Sequence, residues 1–381
     1  MRGEKIMSVI RVEEIEELRG GLMKVRIGPQ HPISGQGTII VTTDGEIVYE
    51  IDVDIGYSHR GIEKILENRT YLQGIVPMER MVMLDTSHVD MAYVRAIEEL
   101  LGIEAPPRAQ YIRTIILEMN RIISHTYALG LLAESTGWFP AFFLWTTGDR
   151  EPFLELMEML TGARWSYSFI IPGGVRADLP SGFKERALKA IEYFRERLDV
   201  YMDAWMENAL FEVRTRGVGV IPSSKAIEWG AAGPNLRASG VRYDTRKNEP
   251  YAAYGELDFK IAVETAGDSY ARGAVRIQEM YISLDIIQQA LENMPSGPIK
   301  INVPQRVPPG EVYSRVESAR GELGVYLVSD GTDKPYRVKI SAPSFRNFFL
   351  LEMLPTIQEI KFADVPVLYM SLDPWFLDAD R

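Results

Sequence analysis

The chain of 381 residues contains no cysteine and only four histidines. Disulfides, thiolate-held metals and a cysteine nucleophile are thereby excluded, and any iron-sulfur cluster must belong to another subunit. No two histidines stand at metal-ligand spacing, which disfavours zinc. No uncharged apolar run approaches the roughly 18 residues a membrane-crossing helix needs. The start, Met1-Arg2-Gly3-Glu4-Lys5, lacks the apolar stretch of a signal peptide. The expectation is a cytoplasmic chain whose membrane association comes through partners. Positive charge is also scarce, with 42 Lys and Arg against 53 Asp and Glu and a formal net charge of -11. A phosphate-binding surface needs clustered cations, so nucleic acid is not an expected partner. There is no internal repeat and no low-complexity tract.

What is present is ordinary globular material, 46% hydrophobic and 25% charged, enough for one sizeable core with an appended unit. Residues 21–57 alternate in the manner of strands, through Met23 to Ile27, Gly37 to Thr42 and Glu46 to Ile51. Asp44-Gly45 supplies a hairpin signal, because a tight two-residue turn needs positive φ. From about residue 61 the period becomes helical. Ile112, Ile115, Ile116, Met119, Ile122, Ile123 and Tyr127 fall at three- and four-residue spacing behind Pro106-Pro107. Similar patterns through 154–160, 183–210 and 270–294 read as a bundle. After Pro295-Ser296-Gly297-Pro298 strand patterning returns at 310–313, 321–328 and 336–340. The fold class is therefore α+β: an N-terminal antiparallel β unit (1–60), a long-helix bundle core (61–296) and a C-terminal β-rich lobe with a terminal tail (297–381), integrated as one domain.

Several strings then carry a family resemblance: Gly28-Pro29-Gln30-His31-Pro32, Ile55-Gly56-Tyr57-Ser58-His59-Arg60-Gly61-Ile62-Glu63-Lys64, Pro106-Pro107-Arg108-Ala109-Gln110-Tyr111-Ile112-Arg113, Pro172-Gly173-Gly174-Val175, Gly310-Glu311-Val312-Tyr313 and Gly321-Glu322-Leu323-Gly324-Val325-Tyr326. Together they resemble the large subunit shared by respiratory complex I and the energy-converting membrane-bound nickel-iron hydrogenases. The end, Asp373-Pro374-Trp375-Phe376-Leu377-Asp378, is similar to the hydrogenase pattern Asp-Pro-Cys-x-x-Cys, with Trp375 and Asp378 in the cysteine places. The other cysteine pair falls on Met81 and Leu84. A nickel-iron centre needs thiolates, so the resemblance implies that hydrogenase activity is lost.

In quinone-reducing relatives a His after the first His-Pro, a Tyr and an Asp surround the headgroup, because both quinone oxygens take protons. Here residues 31–37 hold no second His, the Tyr position falls on Met83, and the Asp position falls on Ser135 beside Glu134. Loss of both ligand sets resembles the archaeal membrane-bound complexes that reduce sulfane sulfur such as polysulfide.

The resemblance implies a partner small subunit with a [4Fe-4S] cluster, ferredoxin as electron donor to the complex, and membrane ion-translocating subunits on the cytoplasmic side, coupled through residues 33–37. No cofactor is expected on this chain. Arg60 matches the family arginine beside that cluster, where a permanent cation would favour the reduced state; an ion pair with Glu63 or Asp54 is the plainer alternative. His31 is a candidate proton donor or a loop brace. Glu79, Arg80, Asp378 and Arg381 are candidates facing the former metal cavity, either binding an anionic substrate and relaying protons or filling space as ion pairs. His88 points toward that cavity, whereas His125 reads as a satisfied core histidine. Arg108, Arg113 and Arg121 are either solvated or in contact with neighbouring subunits. The expected activity is a ferredoxin-dependent sulfane reductase. Its rivals are a complex I-like quinone reductase with an altered site and a non-catalytic scaffold.

Overall fold

Alternation of inward apolar and outward polar residues from Met23 onward builds an antiparallel sheet in the computed structural model, which describes residues 13–18, 20–29, 36–138 and 141–381. Its strands run in the order Glu13–Glu17, Met23–Ile27, Thr38–Thr43, Ile47–Asp54 and Ile360–Lys361. Val41 lies between Val25 and Ile51 in register, and all three are buried. The Asp44-Gly45 connection forms with Gly45 at φ 109°. The Asp44 carboxylate accepts from the backbone N–H groups of Glu46 (3.0 Å) and Ile47 (2.8 Å). A register shift pairs Thr43 with Val48, so the loop is wider than a two-residue turn.

The helical core is organised by Pro107–Ala133, which packs along Ser269–Asn293. Pro106 occupies the N-cap and Pro107 the first turn, where the missing N–H costs nothing. The six periodic apolar positions from Ile112 to Ile123 are all fully buried. So are charges on the same helix. Arg113 is paired with Glu98 (2.6 Å). Arg121 donates to the carbonyls of Glu317 (2.7 Å) and Ser318 (3.0 Å). Neither is solvated or available to another subunit; Arg108, half-buried, pairs with Asp178 at 2.8 Å. The helix continues into a π-helical turn, Glu134–Trp138, where Gly137 sits at φ 97°.

The C-terminal sheet comprises Gly310–Ser318, Gly321–Ser329 and Arg337–Ser341. Its first strand runs past Tyr313 to Ser318, which pairs with Gly321 across the two-residue turn Ala319-Arg320. This tip is driven into the core. A Cβ on Gly321 (φ 128°) would lie 2.8 Å from the Ala232 backbone, and one on Gly233 would lie 2.4 Å from the Gly321 Cα. Beyond Ser341 the expected β-rich character ends, because apolar residues recur at helical spacing in Pro343–Met353 and Val365–Leu372, followed by Phe376–Asp380. One continuous apolar core extends from Val25 to Ala379. Among the described residues no helix is long and apolar enough to cross a membrane.

Candidate functional site

The terminal helix is stitched to the loop carrying His59-Arg60-Gly61. Asp380 accepts from the N–H groups of Gly56 (2.8 Å) and Ser58 (2.7 Å), and its carbonyl meets His59 Nδ1 at 2.7 Å. This juxtaposition brings the Arg60 guanidinium onto the seam between the two former cysteine segments. It donates to the carbonyls of Arg80, Met81 (3.2 Å) and Leu377 (3.1 Å). The ion-pair alternative is not what forms: Asp54 meets Arg26 (3.5 Å), and Glu63 is taken by Arg337 (3.5 Å), Lys339 (3.2 Å) and Arg381 (3.6 Å). Carbonyl dipoles orient Arg60 without cancelling its charge, and partial burial lowers its pKa.

Behind this seam, where the hydrogenase resemblance led to the expectation of a vacated cavity, the interior is packed. Met81 and Leu84 belong to the buried apolar set. Asn120 braces their segment, donating to the Leu84 carbonyl (2.7 Å) and accepting from the Ser87 N–H (3.0 Å). Trp375 lies over Arg320, whose guanidinium carbon is 5.0 Å from the ring centre. Arg320, wholly buried, bridges Asp85 (2.8 Å) and Asp373 (3.3 Å). Burial opposes its charge, but Asp373 and Asp85 outweigh it and raise its pKa. Asp378 is the third carboxyl here, and its Oδ1 has no hydrogen-bond partner. Burial first, and then the neighbouring carboxylates Asp85 and Asp373, push Asp378 up to about 7 against the opposing pull of Ser344 and Arg320. A buried acid that exchanges its proton near neutrality, beside a cation, can hold or release a proton as nearby charge changes.

Comparison with known proteins identifies this frame. Residues 137–309 and 304–381 match the family described as respiratory-chain NADH dehydrogenase, 49 Kd subunit. The chain belongs to that family. It is 43% identical to a subunit of the F(420)H(2) dehydrogenase of Methanosarcina mazei over 96% of this chain and all of that one. It is 42% identical to NADH-quinone oxidoreductase subunit 4 of Thermus thermophilus, covering 97% of this chain and 96% of that one. In three dimensions it matches a chain of the membrane-bound sulfane sulfur reductase, an archaeal respiratory membrane complex, with a TM-score of 0.91 and 38% identity over 96% of this chain and all of that one. It is thus a 49 kDa-type subunit of a multisubunit oxidoreductase of a respiratory membrane, and its α+β fold is the family's.

The 49 kDa-type subunit places the remaining candidates unevenly. Glu79 is buried and holds Ser168, accepting from its N–H and from its hydroxyl (2.6 Å). Ser168 sits at φ 41°, so Glu79 pins a strained loop. Burial and then the adjacent Glu79 carboxyl raise Asp90 well above the ordinary carboxylate range. Arg80 turns its side chain to the surface and only its carbonyl joins the seam. Arg381 donates to the Ile340 carbonyl (2.5 Å) and lines a cavity of about 350 Å³ with Lys64, Arg337 and Lys339. Neither expected carboxylate–guanidinium pair, Glu79 with Arg80 or Asp378 with Arg381, is made. His31 and residues 33–35 lie outside the described residues. His88 is buried between Arg121 (3.4 Å) and Asp85 (3.8 Å), and burial with Arg121 drives its pKa well below normal. His125 is the core histidine its helix face implies, but it is only half satisfied: Nε2 meets Glu279 at 2.8 Å and the buried Nδ1 has no hydrogen-bond partner.

At the positions corresponding to quinone ligands, Met83 is half exposed at 50% and the Ser135 hydroxyl turns back to the Leu132 carbonyl (2.7 Å). Among the described residues no group of His, Asp and Glu is disposed to hold a metal ion. Sequence reasoning missed Asp85, Arg320 and Asp373 as one charged cluster. Each stands inside or next to a position the sequence singles out, Asp85 after Leu84, Arg320 before Gly321-Glu322 and Asp373 before Pro374. Spacing alone does not bring them together.

Proposed function

We propose that this 49 kDa-type subunit is the acceptor-side large subunit of a ferredoxin-fed complex, held peripherally on the cytoplasmic face of the membrane, that reduces sulfane sulfur such as polysulfide beside the [4Fe-4S] cluster of an adjacent small subunit. The observation that carries this reading is a combination of lost and retained groups. The groups that would protonate a quinone are replaced by Met83 and Ser135, while a cation, Arg320, lies under Trp375 and acts on a near-neutral buried acid, Asp378. Cleaving a sulfur–sulfur bond takes two electrons and leaves anionic sulfur, so a fixed cation and a proton source are the minimum chemistry. The likeness to the sulfane sulfur reductase chain supports the same choice. Arg60, oriented by three carbonyls, supplies the charge that eases reduction of the partner's cluster. The chain itself binds no cofactor in this reading. Ion translocation belongs to the membrane subunits.

A second reading, reduction of a quinone-type carrier, is favoured by the 42% identity to subunits named for NADH-quinone oxidoreductases. The deciding experiment is turnover by the purified intact complex with reduced ferredoxin, offering polysulfide, a menaquinone analogue and protons in parallel. Polysulfide consumption with inert quinone supports the first reading, and quinone turnover alone overturns it.

A further inference from the structure

Among the described residues, Arg150 makes no ion pair, and two of its donor atoms have no hydrogen-bond partner. Arg150 follows the helix Ala141–Asp149 and caps the start of Glu151–Thr161. Its guanidinium carbon stands 5.2 Å from the Tyr127 ring centre and 5.9 Å from that of Trp165. Contact through the guanidinium face leaves its N–H groups to find partners in the guanidinium plane. Two of those groups, Nε and Nη1, are buried with no hydrogen-bond partner. The adjacent carboxylate, Glu151, is already engaged by Arg164 at 2.5 and 2.7 Å. Tyr127, Glu151, Tyr167 and Arg164 are the titratable groups around it.

Arg197, nearby, shows what a completed version looks like. It too stacks on aromatic rings, Trp145 and Tyr201, but its Nε donates to Asp149 at 2.8 Å. Arg150 has the stacking and lacks the acid. It also connects to the packed interior: Tyr127 contacts Trp375 at 6.1 Å between ring centres, and Trp375 covers Arg320. Two guanidiniums, Arg320 wholly buried and Arg150 half-buried, therefore stand at the ends of one aromatic pair. A buried donor edge with no internal acceptor is the arrangement of a site completed by an outside anion.

We propose that Arg150 is an anion-binding residue of the acceptor site, fixing a small anionic sulfane chain by its in-plane N–H edges between Tyr127 and Trp165. The proposal rests on the sulfane reading for the ligand's identity, but the anion site itself can be measured separately. In the intact complex, thiosulfate serves as the probe, titrated calorimetrically against wild type, Arg150→Gln and Arg150→Lys. Loss of a charge-assisted contact is expected to weaken thiosulfate by about tenfold or more in Arg150→Gln, with a smaller loss in Arg150→Lys. The KM for polysulfide rises in parallel, while the KM for a neutral dialkyl trisulfide stays within about twofold. Unchanged thiosulfate affinity in Arg150→Gln would overturn the proposal. If Arg150→Gln fails to assemble, Arg150→Lys decides: assembly with wild-type thiosulfate affinity assigns Arg150 to a partner's carboxylate instead. If the complex turns over no sulfane sulfur yet loses thiosulfate binding on substitution, the functional reading falls and the anion site stands.

Discussion

Two buried charge clusters lie in this subunit, and they are built on opposite plans. In the first, Arg121, Arg237 and Arg246 interleave with Glu118, Asp244, Glu279 and Glu317. Glu118 alone receives Arg246 (3.1 Å) and the hydroxyls of Tyr254 (2.5 Å) and Ser283 (2.6 Å). Burial opposes its charge, yet Arg121 and Arg246 outweigh that and hold it at about 2. In the second, Arg320 is shared by Asp85 and Asp373 with Asp378 close by, and single oxygens of all three carboxyls lack a partner. The first network holds Glu118, Asp244 and Glu279 below the ordinary carboxylate range, with Glu317 alone raised by burial, and locks helices to sheet. The incomplete one leaves an acid, Asp378, poised near neutral pH and acted on by Arg320. The balance of charge, three guanidiniums to four carboxyls in the first and one to three in the second, and not burial, separates a structural cluster from one available for chemistry.

The largest expected effect comes from breaking the first network. Arg246→Met strands Glu118 and Asp244 and is expected to cost about 3–5 kcal/mol, read as loss of the subunit from the assembled complex by subunit stoichiometry. The network also has an acid signature. Because the folded pKa of Glu118 is depressed from 4.5 to about 2, its stabilisation is present above the unfolded value and disappears as pH falls through the folded one. Thermal denaturation against pH checks this, and a flat response between those limits in wild type would contradict the assignment.

The incomplete cluster has the reverse sign. Asp378 is raised from 3.8 to about 7, so the folded state holds the extra proton and stability declines as pH rises between those values. Asp378→Asn is expected to flatten that decline and to remove the inflection near neutral pH from the pH–rate profile, with assembly intact. An unaltered profile would place Asp378 outside the proton path.

Arg60→Met tests the seam. Removing a partly desolvated cation near the partner's cluster is expected to change the reduction energy by on the order of 1 kcal/mol, lowering the potential, measured by redox titration of the assembled complex. The smallest effect is expected at Arg381, whose partners are Glu63 and a carbonyl at the rim. Arg381→Met should alter stability by about 1 kcal/mol or less and leave polysulfide turnover near wild type. A large loss of turnover there, with normal assembly, would return Arg381 to the site. Normal turnover in Asp378→Asn, Arg60→Met and Arg381→Met together would favour the scaffold alternative.

Much of this was legible before any folding. The absence of cysteine decided against thiolate metal chemistry, because no other side chain supplies that ligand. The period from Ile112 to Ile123 defined the long helix, since local spacing alone decides which face is apolar. The strings from Gly28 to Tyr326 carried the family. The helical character beyond Ser341 was overlooked, although the spacing is present in residues 343–372.

Tertiary structure alone decided which charges matter. Arg113 and Arg121 read as ordinary helix-surface cations, and the packing buried them against Glu98 and the tip of the C-terminal hairpin. Asp85 and Arg320 are 235 residues apart in the chain and 2.8 Å apart in space. Arg150 became an unpaired cation among the described residues only because Glu151 was claimed by Arg164. The physical reason is common to all three. The charge state and availability of a buried group depend on desolvation and on through-space partners, and neither quantity is a function of local sequence.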